Sequence, residues 1–370
     1  MEAVSQLLDG AAGPAIEQLL RRHAIAHFHI PCETEGRQAG CSGPDRQGEE
    51  WMNIRQESGK PRLDEAARAG WLYYVAGNTQ DQIAGKLGVS RQTAQRLVSL
   101  AVSEGLIKVR VDHPIANCLD LAAKLRSRFA LDLVEVVPSD PDSSSTTIGI
   151  AGAAAAEIER WLKSEKPIVM AIGTGRTLKA AIEQLAPMDC PQHKVVSLTG
   201  NIAPDGSAAF YNVIFTMADR IKARSFPMPL PVISSSPEER EMLLSQPMIQ
   251  PTLALAAQAN VTFIGIGDLG PKAPLYEDGF ITEAELKALQ KAGGVAEIVG
   301  WVFDRDGRLI EGITNDRVAS APLPSRERSL VIALAMGDRK LPGILAAVTR
   351  RLVNGLITDE RTAAGLLAAG

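Results

Sequence analysis

Arg91, Gln92, Gln95 and Arg96 fall close together, with Ser90 and Thr93 beside them. An arginine fork pairs with guanine and a glutamine amide with adenine in the major groove, while serine and threonine hydroxyls reach phosphates or bases. That chemistry needs a single exposed helix face. A second set lies far downstream. "GTGRT", Gly173 to Thr177, has two glycines that let backbone N–H groups approach an anion, with Arg176 and Thr177 as further donors. Asp268, within "GIGDLG", either accepts hydrogen bonds from sugar hydroxyls or closes an Asx turn. Lys340, after "AMGDR", either pairs with a ligand phosphate or is a solvated lysine.

The elements that must hold the first set follow from local signals. Thr79 suits an N-cap. The helix after it has Ile83, Ala84 and Leu87 on its apolar side, and Gly88 stops it. Ser90 caps a second helix whose Ala94, Leu97, Val98 and Ala101 recur at i, i+3, i+4 and i+7. Ala84 is small where two crossing helices come closest. This is helix-turn-helix grammar, in which the start of the second helix makes the base contacts. The candidate DNA-contacting residues are therefore Thr79, Gln80, Ser90, Arg91, Gln92, Thr93, Gln95 and Arg96. A helix from Asp64 to Val75 is expected to complete a three-helix unit, packing through Trp71, Leu72 and Val75. "LIKVRV" alternates apolar and basic residues and reads as a short strand or wing. From Ala67 to Val111, Arg68, Lys86, Arg91, Arg96, Lys108 and Arg110 face only Asp81 and Glu104, within a chain of net charge −4. A locally basic module on an acidic body fits a nucleic-acid partner.

From about His113 onward, strands and helices alternate. "KPIVMAIGTGRTLKAAIEQL" reads as strand, Gly-loop and helix; "KVVSLTGN", "NVTFIGIG" and "SLVIALAMG" are apolar runs ending in Gly. This spacing predicts an α/β domain with a largely parallel sheet, whose ligands sit at the strand C-termini. Gly200, ending one such run, joins the candidate ligand site. "GIGDLG" matches G-x-G-x-x-G, but two prolines and no helical pattern follow, so the dinucleotide reading fails.

Catalysis finds little support. His193 is the only histidine after His113, in a "CPQHK" loop expected to be exposed. There is no G-x-S-x-G, H-E-x-x-H or Walker motif. Plentiful carboxylates leave acid–base chemistry open. His23, His27, His29, Cys32 and Cys41 match no zinc spacing, and no metal or cofactor is expected. The 4 cysteines lie far apart in 370 residues, which is no disulfide framework. No apolar run of membrane-spanning length and no signal peptide are apparent, so a cytoplasmic, non-membrane protein is expected. Polar, Gly-rich sequence from Ala24 to Lys60 suggests disorder, and the residues before Met52 read as an extension dispensable for the fold. The expected domains are an extension at 1–60, a helix-turn-helix at 61–112 and a ligand-binding domain at 113–370.

Across Arg62 to Leu367 the chain resembles the SorC family of bacterial sugar-responsive transcriptional regulators, grouped with some DeoR-type repressors. The resemblance is carried by "ARAGWLYYVAGNTQDQIAGKLGVSRQTAQRLVSLAVSEGLIKV", "AIGTGRTL", "GIGDLGPKAPLYEDGFIT", "GGVAEIVGWVFDRDG" and "LVNGLITDERTA", in that order. It implies a winged helix-turn-helix, an effector domain resembling ribose-5-phosphate isomerase and glucosamine-6-phosphate deaminase, and commonly a tetramer. It implies a sugar, polyol or sugar-phosphate effector and operator DNA as partners. The family's Gly-loop falls on Gly173, Gly175, Arg176 and Thr177, and its strand-end segment on Gly267 and Asp268. Its Gly-Ala-Val-Gly-acid segment falls on Gly293 to Glu297, with Gly294 and Ala296 departing. Its Gly-Gly-x-x-Lys segment falls on Met336 to Lys340, with Met336 in place of glycine. The isomerase-like fold keeps a second reading alive, a sugar-phosphate isomerase or deaminase with an appended DNA-binding domain.

Overall fold

The structure, a computed structural model, describes residues 60–107, 115–140, 147–203, 205–208, 211 and 213–369. They fall into two compact units that divide between Leu106 and Ile107. Most of the expected extension, the expected wing from Lys108 and the expected boundary at 112 lie outside the described residues.

Among its described residues the N-terminal unit has three helices, α1 (Lys60–Tyr74), α2 (Gln80–Leu87) and α3 (Arg91–Ser103). Thr79 and Gln82 form a reciprocal capping box at the start of α2. Gly88 ends α2 at φ 67°, ψ 30°, a left-handed conformation that glycine adopts without steric cost. Ser90 Oγ then accepts from Thr93 N at 3.1 Å and starts α3. Ile83, Ala84, Ala94, Leu97, Val98 and Ala101 are buried. On α1 the packing face is not the expected one. Ala66, Ala69 and Gly70 are buried, Leu72 is half-buried, and Trp71 and Val75 are exposed. Small side chains let the helix axes approach closely, which turns the larger residues outward.

The C-terminal unit opens with α4 (Ala116–Phe129), β1 (Leu133–Val137), α5 (Ile148–Leu162), β2 (Val169–Ile172) and α6 (Arg176–Glu183). It continues with β3 (Lys194–Ile202), α7 (Val213–Ile221), β4 (Arg224–Pro231), α8 (Pro237–Leu244), α9 (Gln250–Ala256) and β5 (Val261–Gly265). A small lobe follows: β6 (Gly267–Asp268), α10 (Pro274–Glu277), α11 (Glu283–Lys291), β7 (Gly294–Ile298) and β8 (Trp301–Asp304). The unit closes with β9 (Leu330–Leu334), α12 (Leu341–Thr349), β10 (Gly355–Asp359) and α13 (Glu360–Ala369).

Seven strands form one sheet in the order β1-β10-β9-β5-β2-β3-β4, with every pairing parallel. β6, β7 and β8 form a separate antiparallel sheet. Both faces of the large sheet are covered. Met170, Ile172, Val261, Phe263, Ile332 and Leu334 pack with α5, α6 and α7, while Ala171, Ile264, Val331 and Ala333 pack on the other face with α4, α12 and α13. The alternation is the two-residue period of a strand buried on both sides. Each large apolar side chain so buried contributes roughly 1.5–3 kcal/mol.

Chain direction reverses within this order. β2, β3 and β4 step outward to one edge, whereas β5, β9 and β10 step toward the other. The C-terminal ends of β2, β5 and β9 therefore lie side by side at a topological switch point, where open α/β sheets form their ligand crevice.

Candidate functional site

In the N-terminal unit the candidate base-reading residues share one surface. Arg91, Gln92, Thr93, Gln95 and Arg96 are all exposed, opposite the buried Ala94, Leu97 and Val98. Thr79 and Ser90 spend their hydroxyls on helix caps, and Ser90 Oγ also lies 2.9 Å from Thr93 Oγ1. Gln80 is half-buried. Arg91 Nε lies 3.4 Å from Asp81 Oδ1, with both side chains largely exposed. Such a pair is weak enough for a phosphate or base to displace.

In the C-terminal unit three loops meet at the switch point. The first follows β2. Gly173 N donates to Phe263 O at 2.8 Å, and a Cβ on Gly173 would crowd Val299 and Ile264. Gly175 caps α6 at φ 121°, which requires glycine, and supplies no side-chain acceptor to the first turn. Thr177 is buried in that turn. Arg176 Nε donates to Tyr211 Oη at 2.9 Å, and Thr174 Oγ1 donates to Tyr211 O at 2.8 Å. The Tyr211 hydrogen bond, with smaller help from Asp278 and Glu277, raises the guanidinium pKa above its already high value against the effect of burial.

The second loop follows β5. Asp268 is buried, and its Oδ1 accepts from Gly270 N at 3.0 Å, so the Asx turn anticipated as one alternative is present. β6 pairs with β7 so that Gly267 stands opposite Glu297. The Glu297 carboxylate occupies the space a side chain at Gly267 would need. Its Oε2 accepts from Gly300 N at 2.8 Å. Burial raises the Glu297 pKa above the usual carboxylate range; the Gly300 N–H and Lys340 oppose this, while Asp278 and Asp268 reinforce it.

The third loop follows β9. Gly337, at φ 106°, leads into a short 3₁₀ turn, Asp338–Lys340, that precedes α12. Lys340 is half-buried rather than solvated. Burial pulls its ammonium below the ordinary lysine range; Asp268 and Glu297 pull it back up, and Arg176 and Arg339 push it further down.

The structure thus brings Arg176, Asp268, Glu297 and Lys340 into one group of interacting charges, with Gly173, Gly175 and Thr177 on the adjoining loop. Gly200 stands apart in the β3–β4 seam, where a side chain would strike the carbonyls of Leu230 and Pro231. Two members escaped the sequence reading. Tyr211 belongs to no motif. Asp278 was within the quoted "APLYEDGFIT" but was not singled out; burial raises its pKa, Arg176 lowers it and Glu277 raises it. His193 departs from its expected exposure. It is fully buried, with Nε2 3.0 Å from Leu162 O and Nδ1 accepting from Ile168 N at 3.3 Å. It closes two backbone groups at a strand entry. Among the described residues, no group of three or more His, Cys, Asp or Glu is placed to hold a metal ion, and no helix is long and apolar enough to cross a membrane.

A helix-turn-helix unit joined to an α/β unit with a polar crevice defines a ligand-responsive DNA-binding regulator. Comparison with known proteins agrees. A family model described as "Putative sugar-binding domain" matches residues 113–368, and one described as "Homeodomain-like domain" matches residues 61–110. The erythritol catabolism regulatory protein EryD of Brucella abortus is 32% identical over 82% of this chain and 96% of its own. The transcriptional regulator LsrR of Klebsiella pneumoniae is 28% identical over 82% of this chain and 92% of its own. The full-length sorbitol operon regulator SorC of Klebsiella pneumoniae shares the fold, with a TM-score of 0.61 at 23% identity, over 82% of this chain and 97% of its own. The chain belongs to the SorC/DeoR family of sugar-binding transcriptional regulators. It is a DNA-binding transcriptional regulator with a sugar-binding domain.

Proposed function

We propose that this regulator reads its operator through Arg91, Gln92, Gln95 and Arg96, with Gln80 and Thr93 at the edge of the contact and Thr79 and Ser90 setting the helices. The observation that carries this is the exposed polar face of α3, fixed at its start by the Ser90 cap. We assign the effector to the strand-end crevice, to Gly173, Gly175, Arg176, Thr177, Asp268, Glu297 and Lys340, and leave out Gly200, which packs in the β3–β4 seam. Erythritol is the first effector to test, because the relative at 32% identity is named for its catabolism. The domain limits 61–112 and 113–370, a winged form of the N-terminal unit, an isomerase/deaminase-like effector domain, a homotetramer and a cytoplasmic location complete the proposal. In it, paired α3 helices engage an inverted repeat, as helix-turn-helix dimers do. The effector shifts DNA affinity by its differential affinity for two subunit arrangements.

The test is fluorescence anisotropy of the full chain on labelled DNA from upstream of its own operon, with and without polyols and sugars. Sequence-specific binding that changes with one of them is the expected result. Binding that is equal for operator and scrambled DNA in every ligand state would refute the regulatory reading. Turnover of pentose or amino-sugar phosphates by purified protein would favour the enzymatic alternative.

A further inference from the structure

Beside the Gly-loop, the C-terminal side of the large sheet carries polar atoms that the fold leaves unpaired. Among the described residues, Thr199 Oγ1, Asn201 Oδ1 and Ser320 Oγ are buried side-chain atoms without a hydrogen-bond partner. Thr199 and Ser320 are only 2% and 1% exposed, and Asn201 is half-buried. We propose that Thr199, Asn201 and Ser320 form a further wall of the effector crevice, one that pairs with the hydroxyls of a polyol or sugar. The proposal rests on the reading of the strand-end crevice as the effector site.

Strand register places these atoms. Parallel pairing sets Ile172 of β2 against Ser197 of β3, so two residues further along, Thr199 stands level with Thr174 of the Gly-loop. Val196 and Leu198 pack into the core under α4, α12 and α13. The two-residue period therefore turns Thr199 to the opposite face, where α6 and Tyr211 pack. Ser320 reaches the same face from another segment. Ala321 N donates to Leu198 O at 2.8 Å and Ala319 N donates to Val232 O at 3.1 Å, so residues 319–321 run beside the ends of β3 and β4. Ala319 and Ala321 share the core of Val196 and Leu198, which turns Ser320 the other way. Asn201 follows Gly200, whose close approach to the Leu230 and Pro231 carbonyls fixes the backbone there. Neighbouring hydroxyls are satisfied. Ser197 Oγ donates to Thr199 O at 2.9 Å, and Thr174 Oγ1 donates to Tyr211 O at 2.8 Å. Buried hydroxyls are nearly always paired, because an unpaired one forfeits its bonds to water. These three atoms lie at strand ends on the crevice side of the sheet, where a ligand can complete them. Threonine and serine hydroxyls donate and accept, whereas the asparagine Oδ1 only accepts. A polyol, each of whose hydroxyls does both, matches all three.

The experiment is calorimetric titration of the full chain with erythritol, ribitol and sorbitol, on wild type, Thr199→Val, Ser320→Ala and Asn201→Ala, with thermal melts of each protein without ligand. Wild type is expected to bind at least one polyol, and each variant to bind it at least about tenfold more weakly. Thr199→Val keeps the side-chain shape and removes an unpaired hydroxyl, so its ligand-free melting temperature is expected to equal or exceed that of wild type. Weaker binding by a protein that is no less stable is a signature that a purely structural hydroxyl does not give. Affinities within about twofold of wild type in Thr199→Val and Ser320→Ala overturn the proposal. A Thr199→Val protein that melts below wild type would show the hydroxyl paired in the free protein, and overturns it too. If Asp268→Ala abolishes binding while Thr199→Val and Ser320→Ala retain it, this wall alone is refuted. Polyol binding that Asp268→Ala also leaves untouched would place the ligand outside the crevice, a failure of the underlying site assignment. Heat from none of the three polyols with folded wild type would remove both.

Discussion

Gly267→Ala tests the central packing relation of the crevice. In an ordinary strand this change is mildly favourable, by about 0.5 kcal/mol, because alanine loses less backbone entropy on folding. Here the new methyl would collide with Glu297 Oε1 and lie 2.9 Å from its carboxyl carbon and 3.0 Å from Cγ. The far end of Glu297 must move away. That breaks the 2.8 Å hydrogen bond from Gly300 N, and leaving that buried N–H without an acceptor costs about 1–3 kcal/mol. It also drives the side chain off its rotamer, for roughly 0.5–1.5 kcal/mol more. The net expectation is a destabilisation of about 2–3 kcal/mol. The assay is urea denaturation followed by circular dichroism, fitting the C-terminal unit's transition separately because two units need not unfold together. Gly267→Ala/Glu297→Ala should be more stable than Gly267→Ala alone, with a coupling energy of about 2 kcal/mol. Effector binding should be lost in the single and double variants alike. Strict additivity, or a Gly267→Ala protein within about 0.5 kcal/mol of wild type, would refute the reasoning.

Arg91→Ala and Gln92→Ala should each weaken operator binding by about 1–3 kcal/mol and leave the effector-induced rise in melting temperature unchanged; loss of the thermal response would show damage beyond the DNA face. Ser90→Ala should cost about 1 kcal/mol of N-terminal-unit stability and Ser90→Gly only a few tenths, a contrast measurable in chemical denaturation of the full chain. Glu297→Gln should alter the pH profile. The raised pKa means that the folded state holds this proton more tightly than the unfolded chain does. Wild type thus has that contribution in full below the unfolded carboxylate pKa and loses it as pH rises through the folded one. The melting temperature of Glu297→Gln minus that of wild type should therefore grow from about pH 4 to about pH 8, and a constant gap would sink the assignment.

What the sequence disclosed divides by the range of the contact. Caps and turns are local. Thr79, Gly88 and Ser90 act within three or four residues of themselves, and their types announce the helix-turn-helix. The strand-end glycines were equally legible, since an apolar run stops at each. Bulk is a poor guide to the face of α1, because close helix packing selects Ala66, Ala69 and Gly70 and leaves Trp71 outside. The burial of His193 depends on backbone groups at Leu162 and Ile168, on the far side of β2 and α6 in the chain, which no local pattern shows. Gly267 was assigned to the strand end on resemblance, but its physical reason, the Glu297 carboxylate, appears only when β6 and β7 pair. Asp278 and Tyr211 matter through Arg176, which comes from a different loop, so no local pattern marks them.

The Lys340 loop is tied directly to the C-terminal helix. Gly337 N donates to Thr362 Oγ1 at 2.8 Å, and Asp338 pairs with Arg361. That helix, α13, is in turn tied to α4, the first helix of the C-terminal unit in chain order. Arg128 Nη1 donates to Leu367 O at 2.6 Å, and Asn117 Nδ2 donates to Glu360 Oε1 at 2.6 Å. Contacts of this kind do not prove a route of coupling; only a change in coupling energy does. Two variants outside α3 and at none of the crevice charges themselves supply the test. Thr362→Val keeps the side-chain volume and removes the acceptor for Gly337 N. Asn117→Ala removes the link to Glu360 at the surface. If the Lys340 loop acts through α13 and α4, both should leave effector affinity and effector-free DNA affinity near wild type. They should shrink the effector-dependent ratio of DNA affinities by about threefold or more, within the range of roughly 0.5–2 kcal/mol that mutations remote from both ligands produce. Anisotropy titrations with and without effector measure that ratio directly. A ratio unchanged in both variants would mean that the signal leaves the crevice by another element, with β6 and its lobe next in line because Asp268 and Glu297 sit there.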